Sequence, residues 1–376
     1  MWRFLPLCLL GACGFQISIG SAPGDDQPPI DGDIDTVIDS EPPHWLLGYT
    51  HRKRITVSSG SSVTLDDFVV AIVIQEDPDL AAHARDDGQD LTITTADDTI
   101  LDYELERFDG QTGATSMWVR VPSLASQQTL YLYYGGELRQ HDARETWSPL
   151  TFRAVWHMTD SVGTFARDSA GDHDLASSGA MNLPVLQDGI AGMGRGFDGI
   201  NDMLRDDQDD NSLDFGTSSF SYSVWAYIVN SAGSFDMPMF KGGASAGQEG
   251  YDMELGQDNW SMYIGDGTTN RAVTVGVETL NAWVNVTIVV DRANQFLRGF
   301  KDGVEIQKLD ISDINSISSN DRFTIGSSGT SYFLRGRVDE ARIYPRALSA
   351  EWIAAEHATL RTPSMFANVG PEEASP

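Results

Sequence analysis

The chain has 376 residues, 41% of them hydrophobic and 10% aromatic, which is enough for two domains with ordinary apolar cores. Asp and Glu number 55 against 25 Lys and Arg, a formal net charge of −30 that repels phosphate backbones and anionic headgroups and argues against nucleic-acid binding. Both cysteines, Cys8 and Cys13, fall at the very start, so the rest must fold without a disulfide.

In chain order, Met1-Trp2-Arg3 and the short apolar run Phe4 to Leu10 read as an export signal, too short to span a bilayer as a helix. Cys13, directly after Leu10-Gly11-Ala12, resembles the lipobox of bacterial lipoproteins, with an ordinary cleaved signal as the alternative. The resemblance implies that residues 1–13 end in a lipidated Cys13 and that membrane attachment is through this lipid anchor only. It also implies outer-membrane placement, periplasmic or surface-exposed, because Gly14 stands where Asp would signal inner-membrane retention. Residues 14–44 are acidic and Pro-rich with no Lys or Arg, and are expected to form a disordered tether.

From 45 to 136, short strand-like runs alternate with turn residues: Arg54–Val57, Val69–Ile74, Leu91–Thr94, Tyr103–Glu106, Met117–Val121 and Leu130–Tyr134. They predict a small β-sandwich. Trp45 with Tyr49 and Arg52-Lys53, Asp87-Gly88-x-Asp90-Leu91, Leu101-Asp102-Tyr103-Glu104, Trp118-Val119-x-Val121-Pro122 and Tyr131-x-Tyr133-Tyr134-Gly135 together resemble the bacterial domain family DUF2341, which has no assigned chemistry. Asp102, Glu104 and Glu106 alternate and share one face, a spacing near the about 5 to 5.5 Å that a retaining glycosidase needs between carboxyl groups. The expectation is nonetheless a solvated outer face, with Tyr103 and Leu105 packed inward. Glycosidases that resemble concanavalin A carry their acids inside the jelly roll, which this triplet does not.

Residues 137–150 read as a polar connector, and 151–361 as the second domain, with strands at Phe152–Met158, Phe220–Ile228 and Trp283–Val290 and a hairpin turn at Lys301-Asp302-Gly303. Residues 337–344 form a closing strand by their period-two pattern, ended by Pro345, with Asp339 on the face of Ala341 and Ile343. Ser349 is placed to cap a helix from Ala350. Phe197-Asp198-Gly199-Ile200-Asn201-Asp202-Met203-Leu204 and Gly336-x-Val338-Asp339-Glu340-x-Arg342-Ile343-Tyr344-x-Arg346-Ala347-Leu348-Ser349 resemble the laminin-G-like, concanavalin A-like jelly rolls of bacterial surface proteins. The predicted fold is therefore all-β: a small N-terminal β-sandwich followed by a concanavalin A-like jelly-roll sandwich, with residues 362–376 as a disordered tail.

The resemblance implies a structural calcium ion, for which Asp198, Asp202 and Asp339 are the candidate metal ligands and the loop acids Asp168 and Asp174 weaker ones. The same aspartates would equally suit tight turns and backbone N–H acceptance. An EF-hand read from Asp207 fails, because Ser212 and Ser218 stand where Gly and Glu are required. Sugar binding needs exposed aromatic faces beside polar groups, and Tyr251, Trp260, Tyr263 and Tyr332 form the candidate ligand-binding platform, with a core role as the alternative. No Gly-x-Ser-x-Gly elbow occurs and the histidines follow no metal-binding spacing, so no catalytic residue is assigned. The expected function is non-catalytic binding of a glycan or an envelope or surface protein at the cell envelope. A glycoside hydrolase acting through the jelly-roll cleft and a purely structural adhesion component are the alternatives.

Overall fold

The computed structural model describes residues 45–160, 165–177, 179, 183–208, 211–229, 235–243 and 247–376; Cys13 and the expected tether lie outside them. The first domain contains β1 (His51–Ser58), β2 (Leu65–Ile74), α1 (Pro78–His83), β3 (Thr92–Thr95), β4 (Tyr103–Asp109), β5 (Ala114–Leu124) and β6 (Gln127–Tyr134). The jelly roll begins with β7 (Ala154–Trp156), β8 (Phe165–Ala166), β9 (Leu175–Ala176), β10 (Val185–Asp188), β11 (Met193–Asp198) and β12 (Leu204–Asp206). It continues with β13 (Phe220–Ile228), β14 (Asp236–Gly242), β15 (Glu249–Gly256), β16 (Asn259–Asp266) and β17 (Asn270–Val277). β18 (Trp283–Asp291), β19 (Phe296–Lys301), β20 (Val304–Asp310), β21 (Thr324–Ile325) and β22 (Arg335–Tyr344) complete it. α2 (Ala350–Arg361), α3 (Pro363–Phe366) and β23 (Ala367–Ala374) end the chain.

Two small sheets, β23-β1-β6-β3 and β2-β5-β4, make the first domain, and two large ones make the jelly roll. One large sheet runs β10-β11-β22-β13-β18-β19-β20, with β7 also on β22; the other runs β17-β16-β15-β14-β21-β12-β9-β8. Each long strand alternates, so Val224, Ala226, Val286, Ile288 and Ile343 meet Met239, Met253, Trp260 and Met262 between the large sheets. The opposite parity of the first large sheet is buried too. Trp225, Val289, Phe300 and Tyr344 join Trp118, Trp147, Phe152 and Trp352 in a second core that also holds Ile55, Leu132 and Val119. Burying each such large side chain contributes about 1.5–3 kcal/mol, so the two domains share a core. The layers therefore stack as first-domain sheet, first-domain sheet with α2, jelly-roll sheet, jelly-roll sheet.

Ser349 caps α2 as expected, its Oγ accepting the Trp352 N–H at 3.1 Å. Residues 362–376, in contrast, are not a disordered tail. β23 pairs antiparallel with β1, setting Lys53 opposite Glu372 and Arg52 opposite Glu373, and Arg52 Nε donates to Glu373 Oε2 at 2.7 Å. An irregularity between Lys53 and Ile55 leaves Gly370 and Pro371 outside the ladder, which is where a strand tolerates proline. The segment looks too polar to fold by itself, but it needs only to cover a sheet edge whose charges complement its own.

Candidate functional site

The three predicted metal ligands do not meet. Asp198 Oδ1 accepts the N–H groups of Ile200 and Asn201 at 2.8 and 3.3 Å, and Asp202 Oδ2 accepts the Asp198 N–H at 2.9 Å. Both serve one tight turn. Asp198 pairs with Arg335, and Asp339 lies four positions further along β22, about 13 Å of strand. Asp339 Oδ2 accepts the N–H groups of Ile190 and Ala191 at 2.7 and 3.2 Å. No single calcium fits this set. Asp168 and Asp174 likewise accept backbone N–H groups, from their own loop and, for Asp168, from Val155 of β7.

Asp339 also faces the other way from the expectation. Between Ser223–Arg342 and Trp225–Asp339, two steps of β13 oppose three of β22, and Glu340 takes φ +47°. This one-residue bulge turns Asp339 to the side of Glu340, Arg342 and Tyr344, while Val338 joins Ala341 and Ile343 in the jelly-roll core.

Of the predicted aromatic platform, Tyr251 and Trp260 are core residues, 1% and 0% exposed, because they alternate inward with Met253, Leu255, Met262 and Ile264. Tyr251 donates its O–H to the Leu213 carbonyl at 3.1 Å. Tyr263 has the outward parity and is half-buried. Tyr332 is 47% exposed, with its ring edge-on to Phe235 at 5.7 Å.

The outward face of the second large sheet carries a row the sequence reading passed over. Strand register aligns Arg205, Thr324, Phe240, Asp252, Tyr263 and Ala272 across six neighbouring strands. Directly paired residues have Cβ atoms about 4.5–5.5 Å apart, so Asp252 lies between two aromatic rings. Glu254 shares this face two residues on, and Ser261 pairs with it. Asp252 is 0% exposed, and neither carboxylate oxygen has a hydrogen-bond partner among the described residues. Burial, with the Glu254 charge beside it, pushes its carboxyl well above the usual carboxylate range. Burial also raises Glu254, and burial together with the bonded Glu254 pushes the Tyr263 hydroxyl up to about 12. At the strand's end, a β-carbon on Gly256 would run into the Phe235 ring at 2.4 Å and stand 3.5 Å from Glu254 Oε1, so Phe235 lies over this glycine on the same face. The face thus runs from Phe240 through Asp252, Tyr263 and Glu254 to Phe235 and Tyr332. The signal was available in Tyr251-Asp252-Met253-Glu254-Leu255, where acids alternate with core residues.

The opposite face, against the first domain, holds two of the three acids expected in solvent, Glu104 and Glu106, while Asp102 is exposed as expected, 3.5 Å from Arg120. Glu104 accepts bonds from Trp147 Nε1 and from Ser169 Oγ, the latter at 2.9 Å, and lies 3.4 Å from His157 Nε2. Trp118 Nε1 donates to Glu106 at 2.7 Å. His157 Nδ1 is 2.8 Å from Glu340, and Arg342 reaches Glu340 at 2.6 Å and Glu356 at 2.9 Å while lying over the Trp118 ring. Burial opposes charge on His157, but Glu340 and Glu104 outweigh it and hold the imidazole well above its usual range. Glu106, His157 and Glu340 lie close enough to hold an ion, yet Arg342 and the Trp118 indole already occupy both acids. The cluster is an ionic seam between the domains. β4 turns these acids inward because the jelly roll covers that side of its sheet.

Residues 206–354 match the Laminin_G_3 family, described as the concanavalin A-like lectin/glucanases superfamily, and residues 87–149 match DUF2341, a domain of unknown function. No curated protein matches the chain. Similar solved structures include the binding domain of Paraclostridial Mosquitocidal Protein 1, at 16% identity and TM-score 0.44 over 56% of this chain and 52% of that one. The botulinum neurotoxin binding domains of serotypes G and D are each 13% identical over 55% of this chain and 50% of theirs, with TM-scores of 0.42 and 0.43. The chain spans about half the length of these structures.

Proposed function

We propose that the chain binds a glycan on the outward face of the second jelly-roll sheet. The observation that carries this reading is the Asp252 carboxylate, fully buried, without a hydrogen-bond partner among the described residues and set between Phe240 and Tyr263. A buried acceptor without a donor costs about 1–3 kcal/mol, which a bound hydroxyl recovers. Pyranose rings bring both hydroxyls for Asp252 and Glu254 and apolar C–H faces for the aromatic rings. In this reading the protein is a non-catalytic envelope component held by a lipid on Cys13; membrane release of Cys13→Ser tests the anchor. A glycan array tests the ligand: binding by the wild-type chain and at least a tenfold loss in Asp252→Asn support the reading, and no glycan bound overturns it.

One observation favours a second reading, glycoside cleavage. Asp252 and Glu254 are alternate acids on one strand, burial raising both and Asp252 the further, with Glu254 bonded to Tyr263, so the two carboxyl groups differ in environment as an acid and its partner must. Turnover of a labelled polysaccharide, abolished in both Asp252→Asn and Glu254→Gln, would establish it.

A further inference from the structure

A separate group of titratable side chains sits on the first domain, where three segments of the chain meet. His51 opens β1, His83 ends α1, and Glu372 lies in β23. His83 Nδ1 is 2.8 Å from Glu372 Oε2, and His51 Nε2 is 4.0 Å from Glu372 Oε1. The two imidazoles stack with centroids 4.0 Å apart and planes within 1°, so both present an edge to the same carboxylate. One ligand atom from each of the three side chains lies within 4.8 Å of the other two.

The tautomer of His51 is set by its neighbours. Thr50 Oγ1 donates to the Gly135 carbonyl at 2.9 Å, so toward His51 Nδ1, at 2.8 Å, it accepts. Nδ1 therefore carries the hydrogen, and Nε2 turns a lone pair toward a carboxylate oxygen. Two acceptors facing each other are reconciled by a cation between them, either a proton on Nε2 or a metal ion. A β-carbon on Gly135 would stand 2.3 Å from Thr50 Oγ1 and 3.0 Å from His51 Nδ1, so glycine there leaves room for this contact. Tyr134 donates its O–H to Glu372 Oε2 at 2.8 Å and fixes the carboxylate. These are the outer partners that orient metal-binding histidines and carboxylates.

We propose that His51, His83 and Glu372 bind a divalent ion of the zinc class, which fastens the C-terminal strand to the first domain. Zinc takes imidazole nitrogen and carboxylate oxygen at about 2.0–2.2 Å in a tetrahedron, each imidazole holding the ion in its own ring plane, so the parallel stack must open on binding, the more exposed His83 ring turning toward the ion. His83, its side chain 40% exposed, gives up its Nδ1 hydrogen and keeps one on Nε2. The fourth position goes to water. Two histidines and one carboxylate exclude a calcium-type site, which wants six to eight oxygens.

The test uses the full chain without a polyhistidine tag, dialysed against zinc and then against buffer. About one zinc per chain should remain, and thermal unfolding should shift upward with zinc concentration and return with chelator. His83→Ala and Glu372→Gln should each lower zinc affinity at least about tenfold. Cobalt in the unmodified chain should give the intense visible bands of a four-coordinate site, a readout that needs no variant to fold. A wild-type chain that keeps no zinc overturns the proposal. So does affinity unchanged in the His51→Ala/His83→Ala double variant, or a weak octahedral cobalt spectrum, since each would mark zinc as a counterion of the acidic surface only.

Discussion

The two jelly-roll sheets carry similar polar groups on their outward faces and use them in opposite ways. At the seam with the first domain, Asp339 and Glu340 of β22, with Glu104 and Glu106 of β4 and Glu356 of α2 facing them, each have a donor, from an indole, a hydroxyl, an imidazole, a guanidinium or a backbone N–H. On the other side, Asp252 lies as deep and has none among the described residues. Partnered carboxylates fix how two domains dock; an unpartnered one keeps its hydrogen-bonding capacity for something outside the chain. Burial alone does not separate the two cases, and the presence of donors does.

The contrast breaks most visibly at Arg342. Arg342→Met removes the cation between Glu340 and Glu356 and leaves two buried carboxylates, so unfolding free energy should fall by about 3–5 kcal/mol in urea titrations. A loss below about 1 kcal/mol would mean the seam is not tight. Next in size is Glu106, whose carboxyl burial pushes up to about 7 from the usual 4.5, in spite of the His157 charge nearby. Between those values the folded chain holds a proton that the unfolded chain releases, so stability falls as pH rises through the window. At about 1.4 kcal/mol per unit, Glu106→Gln should be more stable than wild type by about 3 kcal/mol near pH 8, and equal to it below about pH 4. Glu104, held below the usual range because His157, Trp147 and Ser169 outweigh its burial, has the reverse sign: its contribution fades as pH falls below the carboxylate range.

On the other sheet, removing the acid should stabilise. Asp252→Asn abolishes an ionisation the site disfavours, so it should unfold at higher denaturant above neutral pH, by about 1–3 kcal/mol, with no such gain in acid. A gain in stability together with a loss of glycan binding is the signature of a binding residue; a loss of both would make Asp252 part of the fold.

The fold was largely legible in the sequence, because period-two alternation marks strands whatever they pack on: residues 69–74, 117–121 and 130–134 all lie within observed strands. Four features were not legible. The bulge at Asp339-Glu340 adds one residue to β22 and inverts the parity on which the Asp339 assignment rested. The acids of β4 read as solvated because alternation shows which residues share a face, but not that a second domain covers it. Residues 367–374 are too polar to be read as a strand until β1 offers an edge with Arg52 and Lys53 in register. Alternation was equally blind to direction at Tyr251 and Trp260, where the inward set also contains Met253 and Met262.

The smallest effect sharpens the same contrast from the rim. Tyr332 is 47% exposed and touches Phe235 only edge-on, so Tyr332→Ala should change stability by no more than about 0.5 kcal/mol. Its φ of +57° already disfavours a side chain, and alanine relieves none of that, so the backbone contribution stays constant. If the glycan extends from Asp252 past Glu254 to the aromatic pair, this substitution should weaken binding a few-fold while leaving the unfolding midpoint in place. Unchanged affinity would confine the ligand to the Phe240–Asp252–Tyr263 row, where two rings and one carboxylate suffice for a single sugar.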